Sequence, residues 1–270
     1  MQVTTGTPDT ERIRSILQDT SPPDIGALWE ICSYYEWAHR DATVDGISSW
    51  LGPPGSVRVL DCACGSGFPA IDLAARGYDM VCSDGSARML ELFHRNVAER
   101  GVDLRADLVR WEELTDHHGP AAFDVVMCRG CSLLYAGTWD ADTRPDRTVL
   151  VAAIGQFAAC VRPGGRLYVD TARGADLDRR DALWSPVREM RLDGHHIELR
   201  EVVVNRPDEA LRSWRSWLTI DGVTHEFART SHYLRTEELI GLLTEAGLTD
   251  VHREHVEGEH YDVIVGRRPR

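Results

Sequence analysis

The chain has 270 residues, with 43% apolar and 27% charged side chains, which is typical of a soluble globular protein of one or two domains. Its formal net charge is −13 and all 30 of its basic residues are arginines. This argues against a nucleic-acid partner and excludes a Schiff-base lysine. Residues 1–20 lack the apolar segment of a signal peptide, and no apolar run reaches about 18 residues. We therefore expect a cytoplasmic protein without a membrane partner.

The chain opens with a segment that we predict to be helical, residues 1–52. Apolar residues recur at helical spacing over 9–18 and again from Ile25 onward. A further helix should end at Leu51, because the sequence Gly-Pro-Pro-Gly at 52–55 is a strong turn signal.

Strands and helices are then predicted to alternate. Predicted strands lie at 57–61, 78–83, 104–109, 123–128 and 166–170, and predicted helices at 68–76, 86–100 and 147–160. Such alternation is typical of βαβ units, which form a parallel sheet with helices on both faces.

The pattern changes after Thr171. Three strand-like stretches follow at 197–204, 211–220 and 223–230, and Asp221-Gly222 between two of them is a hairpin signal. A predicted helix at 236–246 and two short strands, 251–254 and 261–265, close the chain.

Together these elements predict a single α/β domain. Its core would be a Rossmann-like, mostly parallel seven-stranded sheet with helices on both faces, built from residues 53–173 and 231–270. The helical lead-in (1–52) and an antiparallel β insertion after strand five (174–230) would be additions to that core.

The loop after the first strand carries a nucleotide-type motif. Gly65-x-Gly67-x-x-Ala70 matches the G-x-G-x-x-G/A fingerprint, and Asp84, at the end of the second strand, can accept two hydroxyl hydrogens from a ribose. The Asp61 carboxylate would repel a pyrophosphate but attract the ammonium and sulfonium groups of S-adenosylmethionine. The residues therefore predict S-adenosylmethionine as the cofactor and disfavour a nicotinamide-dependent oxidoreductase.

Several stretches resemble the motifs of class I S-adenosylmethionine-dependent methyltransferases. They are VLDCACGSG at 59–67, YDMVCSDGSARML at 78–90, FDVVMC at 123–128 and RPGGRL at 162–167. Within that family, DCACG at 61–65, CRGCSLL at 128–134 and DTAR at 170–173 are similar to glycine N-methyltransferase-like enzymes that act on small molecules. The resemblance implies methyl transfer as the activity. It also implies that the lead-in acts as a lid and that the insertion covers the substrate site.

The motifs and the resemblance select the candidate site residues. Those predicted to bind the cofactor are Asp61, Ala63, Gly65, Gly67, Asp84, Gly85, Met89, Trp111 and Cys128. Trp111 takes the place of a family tryptophan that packs near the adenine. The catalytic candidates are His232, Tyr233, Arg173 and Tyr135, with Trp139 as a wall of the acceptor pocket. Arg173 lies three residues after Asp170, whereas the family's substrate-carboxylate arginine lies two after it, and His232-Tyr233 is equally well read as a packed pair.

Two cysteine pairs, Cys62-x-Cys64 and Cys128-x-x-Cys131, have the spacing of metal or redox sites. Both fall on motif strands and loops where the resembling enzymes also carry cysteines, so we predict no metal site.

The function predicted from the sequence is transfer of a methyl group from S-adenosylmethionine to a small-molecule acceptor. An amine nitrogen is the first choice of acceptor, and the arginine-only composition, typical of a GC-rich genome, suggests natural-product biosynthesis. The alternatives are O- or C-methylation, a cyclase or lyase that consumes the cofactor without methyl transfer, and a non-catalytic cofactor sensor. A homo-oligomer is compatible with the sequence.

Overall fold

The computed structural model describes residues 25–36, 40–139, 143–179, 181–192 and 194–270. Its helices are α1 (Ile25–Glu36), α2 (Arg40–Leu51), α3 (Ala70–Ala75), α4 (Ala87–Arg100), α5 (Leu114–His118), α6 (Arg147–Cys160), α7 (Gly174–Leu177) and α8 (Thr236–Glu245). Its strands are β1 (Arg58–Asp61), β2 (Asp79–Asp84), β3 (Ala106–Leu108), β4 (Phe123–Cys128), β5 (Val161–Thr171), β6 (Leu183–Trp184), β7 (Arg188–Leu192), β8 (His195–Arg206), β9 (Leu211–Ile220), β10 (Val223–His232), β11 (Thr249–Glu254) and β12 (Asp262–Arg267). The helix predicted at 9–18 lies outside the described residues.

The central sheet has seven strands in the order β11-β12-β5-β4-β1-β2-β3. Strands β5, β4, β1, β2 and β3 are parallel to one another, whereas β12 runs antiparallel to β5 and β11 antiparallel to β12. The predicted α/β class and the mostly parallel seven-stranded sheet are confirmed. Strand β1 lies between β2 on one side and β4 on the other, so the order of the strands reverses at β1. Parallel sheets of this kind bind ligands in a crevice at that switch point.

Alternating side chains of β1 and β4 give the sheet two cores. Leu60 and Val126 face a cluster that includes Ile154 and Phe157 of α6. Val59 and Val125 face the opposite cluster, which is covered by apolar side chains of α2, α3 and α4. Helices on both faces therefore bury this sheet, as its near-continuous apolar strands require.

Strands β6 to β10, which follow β5 in the chain, form a second, antiparallel sheet. Its strand order is β10-β9-β8-β6, with β7 also paired to β8. Asp221 and Gly222 both have positive φ, 48° and 87°, which is the signature of the tight hairpin turn that the sequence predicts there. The apolar face of this sheet packs against α1 and α4 in a third core, where Trp214 and Leu218 meet Leu28 and Leu92.

Some boundaries differ from the sequence predictions. The strand predicted at 104–109 is only β3, 106–108, and the turn predicted at 162–165 lies within β5 as an irregularity in its pairing with β4. Gly165 permits that irregularity because a Cβ there would lie 2.7 Å from the Asp124 carbonyl oxygen. Within the part of the chain that the structure describes, no helix has both the length and the apolar character needed to span a bilayer.

Helix α2 makes an unusually close backbone contact with the segment before β12. A Cβ on Gly46 would lie 2.0 Å from the Glu257 carbonyl oxygen, and one on Gly258 would lie 2.5 Å from the Ala42 carbonyl carbon. The Thr43 hydroxyl donates a hydrogen bond to the Gly258 carbonyl oxygen at 2.8 Å. Glycine at both positions is therefore required for α2 to sit where it does.

Candidate cofactor and acceptor site

A cavity of about 970 Å³ opens at the carboxyl ends of β1, β2 and β4. It therefore lies at the crevice that the strand order predicts. Six of the predicted cofactor residues line it, namely Ala63, Gly65, Asp84, Gly85, Met89 and Trp111. The structure thus brings together most of the cofactor site that the sequence indicates.

The Asp84 carboxylate organises the loop after β1. Its Oδ2 accepts a hydrogen bond from the Gly65 amide and its Oδ1 accepts one from the Ser86 amide, each at 2.9 Å. Gly65 adopts a φ of 52° in that loop. Each carboxylate oxygen can accept more than one hydrogen bond, so Asp84 retains the capacity to accept the two hydroxyls of a ribose in the cavity that it lines.

Trp111 supplies a fixed planar surface. Its indole nitrogen donates to the Cys62 carbonyl oxygen at 2.7 Å, and its ring meets Phe157 edge to face with centroids 5.4 Å apart. An indole held at both ends offers a flat apolar face of the kind that an adenine ring packs against. Asp84, Gly65 and Trp111 together fit an adenosine-bearing group.

Asp61 and Gly67 do not line the cavity. They instead support the loop after β1 from within the protein. Asp61 is only 2% exposed and accepts a hydrogen bond from the Ala63 amide at 3.2 Å. Burial raises the pKa of its carboxyl to about 7. A Cβ on Gly67 would lie 2.3 Å from the Ile71 Cδ1, so this glycine allows the loop to pack on α3 rather than contacting a ligand.

Cys128 lies in the core and not along the cavity, which corrects its predicted place in the cofactor site. The side chain is fully buried beside Cys62, and burial raises the pKa of both thiols. Among the residues that the structure describes, no group of three or more histidine, cysteine or acidic side chains is arranged to hold a metal ion.

Of the four catalytic candidates, the structure places only Tyr135 at the cavity. The Tyr233 ring is buried in the core and its hydroxyl donates to the Leu177 carbonyl oxygen at 3.0 Å. His232 is also buried, and it packs near Ala136 and not at the cavity surface. Arg173 does not line the cavity, and its Nε donates to the His260 carbonyl oxygen at 2.6 Å.

The comparisons with known proteins agree with this geometry. Residues 59–165 match the family model described as a methyltransferase domain. Those residues form a class I S-adenosylmethionine-dependent methyltransferase domain. A glycine/sarcosine N-methyltransferase of Parasynechococcus marenigrum is 31% identical over 192 residues, which are 70% of this chain and 64% of that protein. The chain spans between 30 and 64% of the lengths of the first curated relatives that it matches.

Solved structures of methyltransferases share the fold. Streptomyces venezuelae DesVI superposes with a TM-score of 0.70 at 18% identity, covering 92% of this chain and 99% of that one. The sugar N-methyltransferase KedS8 from Streptoalloteichus superposes with a TM-score of 0.60 at 16% identity, covering 100 and 97%. The cofactor of the methyltransferase domain is S-adenosylmethionine, and the residues around Asp84 fit it.

A buried ion pair, not predicted from the sequence, lies beside the cavity of the methyltransferase domain. Arg129, which lines the cavity, donates through Nε and Nη2 to the two carboxylate oxygens of Glu259 at 2.6 and 2.9 Å. The Tyr168 hydroxyl also donates to Glu259, at 2.8 Å. Arg129 lies in the stretch 128–134 that carries the family resemblance, but nothing in the sequence points to its partner 130 residues away.

Asp170 fixes the loop that carries Arg129. Its two carboxylate oxygens accept hydrogen bonds from the Gly130 and Cys131 amides at 2.8 and 2.7 Å. Cys131 has a φ of 55°, a conformation that such bonds help to hold. Burial raises the pKa of Asp170 to about 7.

The insertion supports the cavity from behind rather than closing it. No described residue of 174–230 lines the cavity. The sheet instead contacts two tryptophans that do: Trp214 meets Trp29 edge to face at 5.3 Å, and the Arg229 Nε donates to the Trp139 carbonyl oxygen at 2.8 Å. The predicted covering role of the insertion therefore becomes one of bracing the wall.

Proposed function

We propose that the protein transfers the methyl group of S-adenosylmethionine to an amine nitrogen of a small molecule. The observation that carries this proposal is the continuity of the cavity. One space extends from the Asp84–Gly65 loop to Tyr135 and Trp139 on the far side of β4. Its volume of about 970 Å³ is at the upper end of ordinary ligand sites, as a site for two ligands requires.

The chain's part in such a reaction is alignment and exclusion of water. The cofactor supplies a methyl group that is already activated, so the protein has to hold donor and acceptor in line. The loop at Gly65, the hydrogen-bonded Trp111 and the rings of Trp29 and Trp139 provide rigid surfaces for both.

Nitrogen is favoured over oxygen by the side chains at the wall. A hydroxyl acceptor profits from a general base, whereas an amine that is neutral when it attacks does not need one. Burial raises the pKa of the Tyr135 phenol well above its usual value, which makes Tyr135 a hydrogen-bond donor and a poor base. No histidine is among the described lining residues, and the carboxylates there, Asp84 and Glu112, lie at the cofactor end.

The names of the relatives support the same choice. The protein from Parasynechococcus is named a glycine/sarcosine N-methyltransferase and KedS8 a sugar N-methyltransferase. From these names we infer only that the acceptor atom is nitrogen, and we infer nothing about which molecule carries it. We further propose that the reaction belongs to natural-product biosynthesis.

The decisive experiment is to incubate the purified protein with S-adenosylmethionine alone and then with pooled amines, following all products by mass spectrometry. We expect S-adenosylhomocysteine only when an acceptor is present, together with a product heavier by one methylene unit. Loss of the cofactor without an acceptor, with methylthioadenosine as the product, would instead show a cyclase or lyase. The Asp84→Ala variant serves as the control that lacks an intact cofactor site.

A further inference from the structure

Three aromatic side chains that line the cavity contact one another. Trp139 is in edge-to-face contact with Trp29 at 6.0 Å and with Tyr135 at 5.6 Å between ring centroids, with interplanar angles of 84 and 80°. All three residues line the cavity. We call Trp29, Tyr135 and Trp139 the aromatic wall. Because each ring is fixed by the next, the wall presents a preformed apolar surface.

The second sheet holds the aromatic wall in place. Trp214 of β9 meets Trp29, and Phe227 of β10 meets Trp214 edge to face at 5.0 Å. The Trp214 indole nitrogen is itself held by the Glu201 carboxylate at 3.0 Å. Successive edge-to-face ring contacts thus connect Trp139, Trp29, Trp214 and Phe227, from the cavity into the core between this sheet and α1. Such a braced surface loses little entropy when it binds a ligand.

The charges near the aromatic wall do not suit a carboxylate. Arg129 and Arg110 are the cationic side chains among the described lining residues. Arg129 is matched by the buried carboxylate of Glu259, and its guanidinium stacks over Phe68. Arg110 lies at the cofactor end, where its Cγ is within 3.8 Å of the Cβ position on Gly85. Two further cations, Arg212 and Arg229, lie close enough to Tyr135 to oppose the rise that burial causes in the pKa of its hydroxyl, but neither lines the cavity. A carboxylate placed against the wall would be desolvated without direct contact with either.

We propose that the aromatic wall is the acceptor subsite, and that it takes an amine with a ring or other apolar body and no carboxylate group. The inference rests on the proposed N-methyltransferase function and names its substrate class. It separates this chain from the glycine/sarcosine N-methyltransferases that it resembles, whose named acceptors are amino acids. Arg173, which lies one residue beyond the place of the family's substrate-carboxylate arginine, donates to the His260 carbonyl oxygen.

The test is a binding titration of the protein saturated with S-adenosylhomocysteine, using amines in matched pairs. Each pair differs only by a carboxylate: phenethylamine and phenylalanine, tyramine and tyrosine, methylamine and glycine. We expect the two aromatic amines to bind at least about 10-fold more tightly than their amino acids and than glycine. Quenching of tryptophan fluorescence and calorimetry would report the binding independently of turnover.

Variants locate the subsite. Trp139→Ala should weaken phenethylamine binding by roughly 10-fold while leaving the affinity for S-adenosylhomocysteine unchanged, and Trp139→Phe should restore most of it. Trp184→Ala is the matched control, because Trp184 is 63% exposed and stacks on Trp217, away from the cavity. Should Trp139→Ala fail to fold, Tyr135→Ala tests the same wall.

The possible failures are distinguishable. Tight binding of glycine or sarcosine, or unchanged amine binding in both wall variants, would overturn the aromatic acceptor subsite and leave the methyltransferase proposal intact. A wild-type protein that does not bind S-adenosylhomocysteine at all would overturn the proposed function itself.

Discussion

Asp61 is an ionisable side chain in a buried position, only 2% exposed. Its carboxylate is held under the glycine loop by the Ala63 amide, and burial raises its pKa to about 7. Between roughly pH 4 and 7 the folded chain therefore binds a proton at Asp61 that the unfolded chain has lost. Stability should fall as the pH rises through that range and level off above it.

Replacing Asp61 by Asn should remove this pH dependence while preserving an acceptor for the Ala63 amide. We expect Asp61→Asn to be more stable than the wild type at pH 8, with the difference shrinking by up to about 1.4 kcal/mol per pH unit toward pH 4. Urea unfolding of the cofactor-free protein at several pH values measures it. A constant difference across the range would mean that Asp61 is ionised normally in the folded state.

Asp84 should contribute to binding more than to folding. Asp84→Ala removes the acceptor for the Gly65 and Ser86 amides and the proposed ribose contacts. We expect at least about a 10-fold loss of affinity for S-adenosylmethionine by calorimetry. Asp79→Ala, at the exposed opposite end of β2, is the control and should bind normally. Equal affinities for wild type and Asp84→Ala would remove Asp84 from the site.

At the scale of elements, the Arg129–Glu259 pair joins the loop after β4 to the segment before β12. Both side chains are largely buried, at 9 and 1% exposed. Breaking one partner of such a pair leaves a desolvated charge, and this costs about 3–5 kcal/mol. The position of Arg129 at the cavity therefore depends on the folding of the segment that carries Glu259.

Glu259→Gln should accordingly lower the free energy of unfolding by about 3–5 kcal/mol, measured by chemical denaturation. Asp45→Asn breaks an exposed pair with Arg76 of similar length, 2.7 Å, and should change stability by less than about 1 kcal/mol. The double variant Arg129→Met/Glu259→Leu should recover much of the loss. If Glu259→Gln behaved like Asp45→Asn, the pair would be solvated in the folded protein.

The elements that could be predicted from the sequence are those set by local patterns. Apolar periodicity placed α6 and β4 at their observed bounds, and the positive φ angles of Asp221 and Gly222 confirm a hairpin predicted from that dipeptide. The contact between the glycine loop and Asp84 was predictable, because both follow adjacent parallel strands whose carboxyl ends lie at the same edge of the sheet. Arg129 with Glu259, and Trp29 with Trp139, were not, since only tertiary packing joins them.

The same limit explains the misplaced candidates. His232 and Tyr233 stand where β10 returns to the central sheet, a position close to the site in the order of elements. The direction of each side chain is set by packing that sequence spacing does not show. The Tyr233 ring is buried in the core, and its hydroxyl donates to the Leu177 carbonyl oxygen. Of the two tyrosines, only Tyr135 lines the cavity.

At the scale of the whole molecule, the backbone contact of α2 with the segment before β12 should affect the free energy of unfolding. Gly46→Ala should lower the free energy of unfolding by more than about 1 kcal/mol, because the added methyl overlaps the Glu257 backbone. Gly155→Ala in α6 has open space around it and should instead raise stability by about 0.5–1 kcal/mol. Thermal or urea denaturation of the two variants compares them directly. Stabilisation by both substitutions would show that the two backbones are farther apart.

This backbone contact also sets an order of events during synthesis. Helix α2 emerges from the ribosome early, yet the residues that receive Gly46 and Thr43 are made about 200 residues later. At ~5–20 residues per second, that interval is roughly 10–40 s. Throughout it the apolar side chains Val44, Ile47 and Leu51, which are buried in the finished protein, have no C-terminal segment to pack beside. The packing of α2 on the central sheet is therefore completed only when these C-terminal residues have been made.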